Sequence, residues 1–198
     1  MSIDEMASSG QGRLGFIELA VSAFAFLLRI GFEVVRREPT RLVFESPEVF
    51  VNVYHGRSSY QVGLEIGRLE AGDKYSLHEL LVAVAPTEVA TARCQTTDPE
   101  VLKRCLSSIA NVVARTCGSL LAGDAGAFED LRVAVAPRRK AVTLEAEFGA
   151  ILDRADQAWE TKDLGRAREL YERAKPALDE TRRRRLTYLI GRKEAAGR

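Results

Sequence analysis

Between residues 42 and 66 apolar side chains recur at every second position, and this pattern restricts the fold more than any other feature of the chain. Leu42 and Phe44 alternate with their neighbours. Val49, Val51 and Val53 then face one way while Phe50, Asn52 and Tyr54 face the other. Tyr60, Val62, Leu64 and Ile66 continue the period against Gln61, Gly63, Glu65 and Gly67. A period of two is the signature of a strand with one buried face. Turn residues separate the runs at Ser46-Pro47 and at His55-Gly56-Arg57-Ser58, and a weaker strand over Phe32 to Arg36 ends at Glu38-Pro39-Thr40. Connections this short join antiparallel neighbours, so a meander of three or four strands is expected. Gly63 and Gly67 read as bulge or close-packing sites within it.

A one-faced sheet needs a cover, and helical spacing on both sides supplies one. Leu14, Ile17, Val21, Phe24 and Leu28 mark a helix from Arg13 to Ile30 that stops at Gly31. Ser76 and Glu79 have capping-box spacing, with Tyr75 and Leu80 at the staple positions, which starts a helix over Leu77 to Val84. Asp98-Pro99 starts another, with Leu102, Cys105, Leu106, Ile109, Val113, Cys117 and Leu120 on one face as far as Gly123. Leu131, Val133 and Val135 alternate too briefly to separate strand from helix; otherwise no strand signal follows residue 70. Pro137-Arg138-Arg139-Lys140 reads as a linker, and Leu144 to Arg192 as helix broken near Thr161–Asp163 and at Pro176. The expected fold is α+β: a flexible leader (1–12), an α+β domain (13–136) with helices on one sheet face, and a helical appendage (141–198) made of a hairpin and a final helix.

Composition narrows the function classes. A 46% hydrophobic share suits a packed domain, and a net charge of +1 argues against a nucleic-acid binder. That balance hides an asymmetry: residues 138–198 carry 16 Lys+Arg against 11 Asp+Glu, and residues 1–137 carry 13 against 17. The apolar window Phe16 to Leu28 is too short to span a bilayer and contains Glu18, so no membrane segment is expected. MSIDEM has acids where a signal peptide needs positive charge. Cys94, Cys105 and Cys117 are odd in number without a CxxC pair, which argues for small core residues with reduced thiols and a cytoplasmic setting. Arginine outnumbers lysine and alanine is abundant, as in a GC-rich bacterial genome.

No chemical motif stands out. The two histidines, His55 and His78, lack ligand spacing, and no GxSxG elbow or GxxxxGK[ST] cradle occurs. Glu65, Glu70 and Asp73 are candidates for acid/base work, although surface carboxylates are common. The run Arg182-Arg183-Arg184-Arg185 is spread around a helix and lacks interleaved stacking aromatics beyond Tyr188, as expected of a solvated face. No catalytic residue, metal or cofactor is assigned.

Two resemblances add to this reading. Ala155, Ala167, Tyr171 and Ala174 match a single tetratricopeptide-type helical hairpin, in which small residues let the helices approach. From Phe26 to Leu81, the stretches FLLRIGFEVVRRE, LVFESPEVFVNVYHGRSSYQVGLEIG and YSLHELL resemble a class of small bacterial proteins. Some members of that class are similar to toxin-neutralising immunity proteins. The absence of a catalytic signature, taken together with this resemblance, leads to the expectation of a non-enzymatic protein that binds one protein partner, such as a toxin; the contact expected is the exposed sheet face or the hairpin tip with His55, Arg57 and Tyr60. The alternative is an adaptor whose C-terminal helices hold a peptide or a second copy of the chain.

Overall fold

A computed structural model describes residues 15–196, so the expected leader lies outside the described residues. The fold is α+β, with an antiparallel sheet preceded by a helix and followed by helices. The chain divides into two compact units between Ala134 and Val135.

The first unit opens with α1 (Phe16–Ala23) and α2 (Ala25–Arg29), one expected helix broken at Phe24. Four strands follow as the anticipated meander: β1 (Glu33–Glu38), β2 (Arg41–Glu45), β3 (Val49–His55) and β4 (Gln61–Arg68). Two strands go beyond the expectation that none would follow residue 70. β5 (Lys74–Ser76) and β6 (Cys94–Gln95) both pair with β4. At three and two residues, neither is long enough for its sequence to show a period.

Register explains the alternation. Leu42 opposes Val53 and Phe44 opposes Val51, while Val53 opposes Leu64 and Val51 opposes Ile66, so all six share the inner face and are fully buried. α1 packs against β2 and α4 (Pro99–Thr116), and α3 (Leu77–Val84) and α4 pack on β4. Both predicted caps form. Ser76 Oγ accepts from the Glu79 amide while Glu79 reaches back to the Ser76 amide, and Asp98 accepts from the amides of Glu100 and Val101. At about 1 kcal/mol each, such caps fix where α3 and α4 begin.

Cys94 and Cys105 are bonded to each other, which corrects the expectation of reduced core thiols. Cys94 lies on β6 rather than on a helix, and the turn at Thr96–Asp98 folds the chain back so that Cys105, two turns into α4, comes within 6.2 Å Cα to Cα. Cys117 is free and buried, followed by the short α5 (Gly118–Leu121).

The supposed linker at Pro137 is helix. α6 runs from Ala125 to Glu160 with Pro137 inside it and crosses the division between the units. Phe128 and Leu131 are buried on this helix, which settles the ambiguous alternation after residue 128. Proline removes one hydrogen bond from a helix, yet Ala136 to Thr143 are all exposed and rich in good helix formers, so the helix continues.

In the second unit α6 is followed by α7 (Leu164–Arg173), a turn of 3₁₀ helix over Lys175–Ala177, and α8 (Glu180–Ala196), with breaks where the sequence placed them. Ala155, Ala167, Tyr171 and Ala174 are fully buried among Leu152, Leu170, Leu186 and Leu189. No helix among the described residues is long and apolar enough to cross a membrane.

Candidate functional site

The inner sheet face is consumed by packing, so the outer face carries the chemistry. Its centre is Asn52, only 4% exposed although it points away from the helices. Asn52 Oδ1 accepts from Arg41 Nε at 2.8 Å and its Nδ2 donates to Glu65 Oε2 at 2.9 Å. Lys74 Nζ lies 3.5 Å from the other Glu65 oxygen. Strand register sets this row, since Asn52 opposes Glu65 and Arg41 lies diagonally across from Asn52. The amide fits only one way round, with its oxygen toward the cation and its nitrogen toward the carboxylate.

Aromatic rings flank the row. Tyr54 opposes Gly63 and Phe50 opposes Gly67, and a Cβ at either glycine would collide with the facing ring. These glycines are therefore close-packing sites, not bulges. The bulge lies in β1, where register slips between Val34 and Arg36. Val34 thereby keeps to the side of Phe44, while Val35 is the extra residue, 51% exposed. Val35, Val43, Phe50 and Leu69 line a groove of about 380 Å³ together with Arg36, Arg41 and Glu45. Apolar and charged side chains thus share the lining, a mixture common to protein-binding patches.

The residues expected at the hairpin tip separate. His55 is 1% exposed, which corrects its place on a contact surface. Its Nε2 lies 3.1 Å from the Tyr60 carbonyl and 2.9 Å from the Thr96 carbonyl. Both partners are acceptors, so Nε2 carries the hydrogen and donates to them. The His55 ring also stacks on Phe16, and its Nδ1 is buried without a partner among the described residues. Arg57 and Tyr60 are exposed. Tyr60 holds a left-handed backbone at φ 51°, which aims its carbonyl at His55 and at the amide of Thr96.

Two of the three carboxylates considered for acid/base work, Glu65 and Asp73, are engaged by cations. Arg68 binds Asp73 through its guanidinium at 2.8 Å and through its backbone amide. Partial burial pushes the Asp73 carboxyl up, but the Arg68 contacts outweigh it and hold the group below its ordinary range. Among the described residues no group of three or more His, Cys, Asp or Glu is placed to hold a metal ion.

In the second unit the arginine run is not one solvated face. Arg182 and Arg185, one turn apart, both bind Asp156, at 2.7 and 2.9 Å. Tyr171 donates its hydroxyl to the same carboxylate at 2.6 Å. Burial raises the Asp156 carboxyl, and the donors and charges of Arg182, Tyr171 and Arg185 more than reverse this, so it titrates below the usual carboxylate range. No family model, curated protein or solved structure matches the chain.

Proposed function

We propose that this chain is a non-enzymatic protein-binding protein that meets a single partner with the outer face of its sheet, and that it acts as an immunity-type inhibitor by covering its target. The observation that carries this reading is the groove over Val35, Val43, Phe50 and Leu69. Val35 and Leu69 are 51% and 41% exposed, so apolar area is left uncovered beside Arg36, Arg41 and Glu45. Apolar side chains of a partner would fill the groove, and its charged side chains would set register and encounter rate. Arg57 and Tyr60, without His55, form a second contact at the hairpin tip.

The test is retention of a partner by the tagged chain in extract of its native cell. Val35→Ser with Leu69→Ser should abolish retention, Arg57→Ala with Tyr60→Asn should weaken it, and Val84→Ser on α3 should leave it unchanged. Equal retention by the Val35/Leu69 variant would overturn the choice of surface. The cytoplasmic setting expected from reduced thiols loses that support with the Cys94–Cys105 bond, and a thiol count tests it. Unfolded directly in alkylating agent, a chain from a reducing compartment takes up three labels, whereas one that keeps the Cys94–Cys105 bond takes up one.

A further inference from the structure

A different surface, in the second unit, has the chemistry of an anion-binding site. Trp159, Lys162, Leu164, Arg184, Arg185 and Tyr188 line a groove of about 420 Å³ between the α6–α7 turn and α8. Its lining holds three cations and no carboxylate. Arg185 shares the carboxylate of Asp156 with Arg182, which also pairs with Asp179, and among the described residues Arg184 pairs with the solvent-exposed Glu180 alone, a contact of the kind that contributes little in water. Lys162 has no ion-pair partner among the described residues and sits at φ 66°, a left-handed turn position between α6 and α7.

The wall beside these cations is apolar. The Arg185 guanidinium lies over Trp159, 5.3 Å from the ring centre, and Tyr188 meets the Trp159 ring edge-on at 5.9 Å. With Arg185 on one face and Tyr188 against it, Trp159 does not form a slot in which nucleic-acid bases could be sandwiched. The rings and Leu164 instead offer a surface for a bulky side chain, next to guanidinium and ammonium donors suited to a carboxylate.

The geometry points to a binding site for an acidic peptide segment, one that places a carboxylate side chain within a residue or two of a large apolar one. The carboxylate lies among Lys162, Arg184 and Arg185, and the apolar side chain packs on Trp159, Leu164 and Tyr188. This site rests on no part of the sheet surface, so either stands if the other fails.

Trp159 is the only tryptophan of the chain, so its emission reports directly on occupancy. The full chain is titrated with a synthetic peptide of repeating glutamate, phenylalanine, glutamate and serine, under excitation selective for tryptophan. The expected result is a saturable change in Trp159 emission that weakens as salt is raised. Lys162→Gln with Arg184→Gln should weaken binding about tenfold or more by removing two cations from the site, and Tyr188→Ala should weaken it several-fold. All three side chains are solvent-accessible, and circular dichroism confirms that the variants keep their helices. The same peptide with glutamine for glutamate should not bind. No binding by millimolar peptide, equal binding of the glutamine peptide, equal affinity in the Lys162/Arg184 variant, or tighter binding of a single-stranded oligonucleotide would each overturn the assignment.

Discussion

The ring of Tyr54 lies across Gly63 on the outer face of the sheet, in the volume that any side chain at position 63 would need. Half-burial beside Glu65 raises the Tyr54 hydroxyl pKa, burial being the larger cause, so the ring stays neutral at physiological pH. Gly63→Ala should therefore cost about 1–3 kcal/mol in urea unfolding, the range for overpacking a fitted contact. Combining it with Tyr54→Ser should recover part of the loss, since the two residues share one space. A full, additive loss in the double variant would refute the contact.

His55 joins the hairpin to β6 through the carbonyls of Tyr60 and Thr96. Its removal in His55→Ala leaves both acceptors without that donor and opens a void, for an expected loss of about 2–4 kcal/mol. Hydrogen exchange gives the sharper readout. The Thr96 amide, which donates to the Tyr60 carbonyl at 3.0 Å, should lose protection before the amides of β2 and β3 do.

Asp156 gathers Tyr171, Arg182 and Arg185 onto one carboxylate. Because its folded pKa lies below the unfolded value, its stabilisation is complete above about pH 4 and declines as pH falls through the folded pKa. Asp156→Asn should destabilise the second unit by about 1–3 kcal/mol at neutral pH, followed by Trp159 fluorescence. The gap between variant and parent should close in acid; a constant gap would show that the charge of Asp156 is not what matters.

Pro137 interrupts the hydrogen-bonding of an exposed stretch of α6. Pro137→Ala should restore a backbone bond and raise stability by up to about 3 kcal/mol, seen as a higher thermal midpoint with unchanged or greater helical signal. A drop in stability would mean that the proline is needed where it stands.

What could be read from the residues alone was whatever is local and periodic. Val49 to Ile66 announce their strands because every second side chain enters the same core, and Ser76 and Asp98 announce their helices because a cap acts within three residues. Pairings across long separations left no such trace. Asp156 meets Arg182 and Arg185 across 26 and 29 residues, and nothing in a run of four arginines marks which two turn inward. The groove under Val35 depends on a bulge that shifts one residue against its partner strand, a slip visible only once β1 and β2 are paired. Pro137 misled for the opposite reason: a strong local signal was outweighed by helix-forming neighbours on both sides.

The burial of Cys117 has a consequence for the other two cysteines. Any two of the three could pair in an unfolded chain, and thiol–disulfide exchange would shuffle them through attack by a thiolate. In the folded chain burial pushes the Cys117 thiol pKa up, against a weaker opposing contact from Thr116, and seals the sulfur from solvent. The odd cysteine is thus chemically silenced as an attacking group. Isomerisation of the Cys94–Cys105 link by the third sulfur has to await opening of the core, so one connectivity persists for as long as the first unit stays folded.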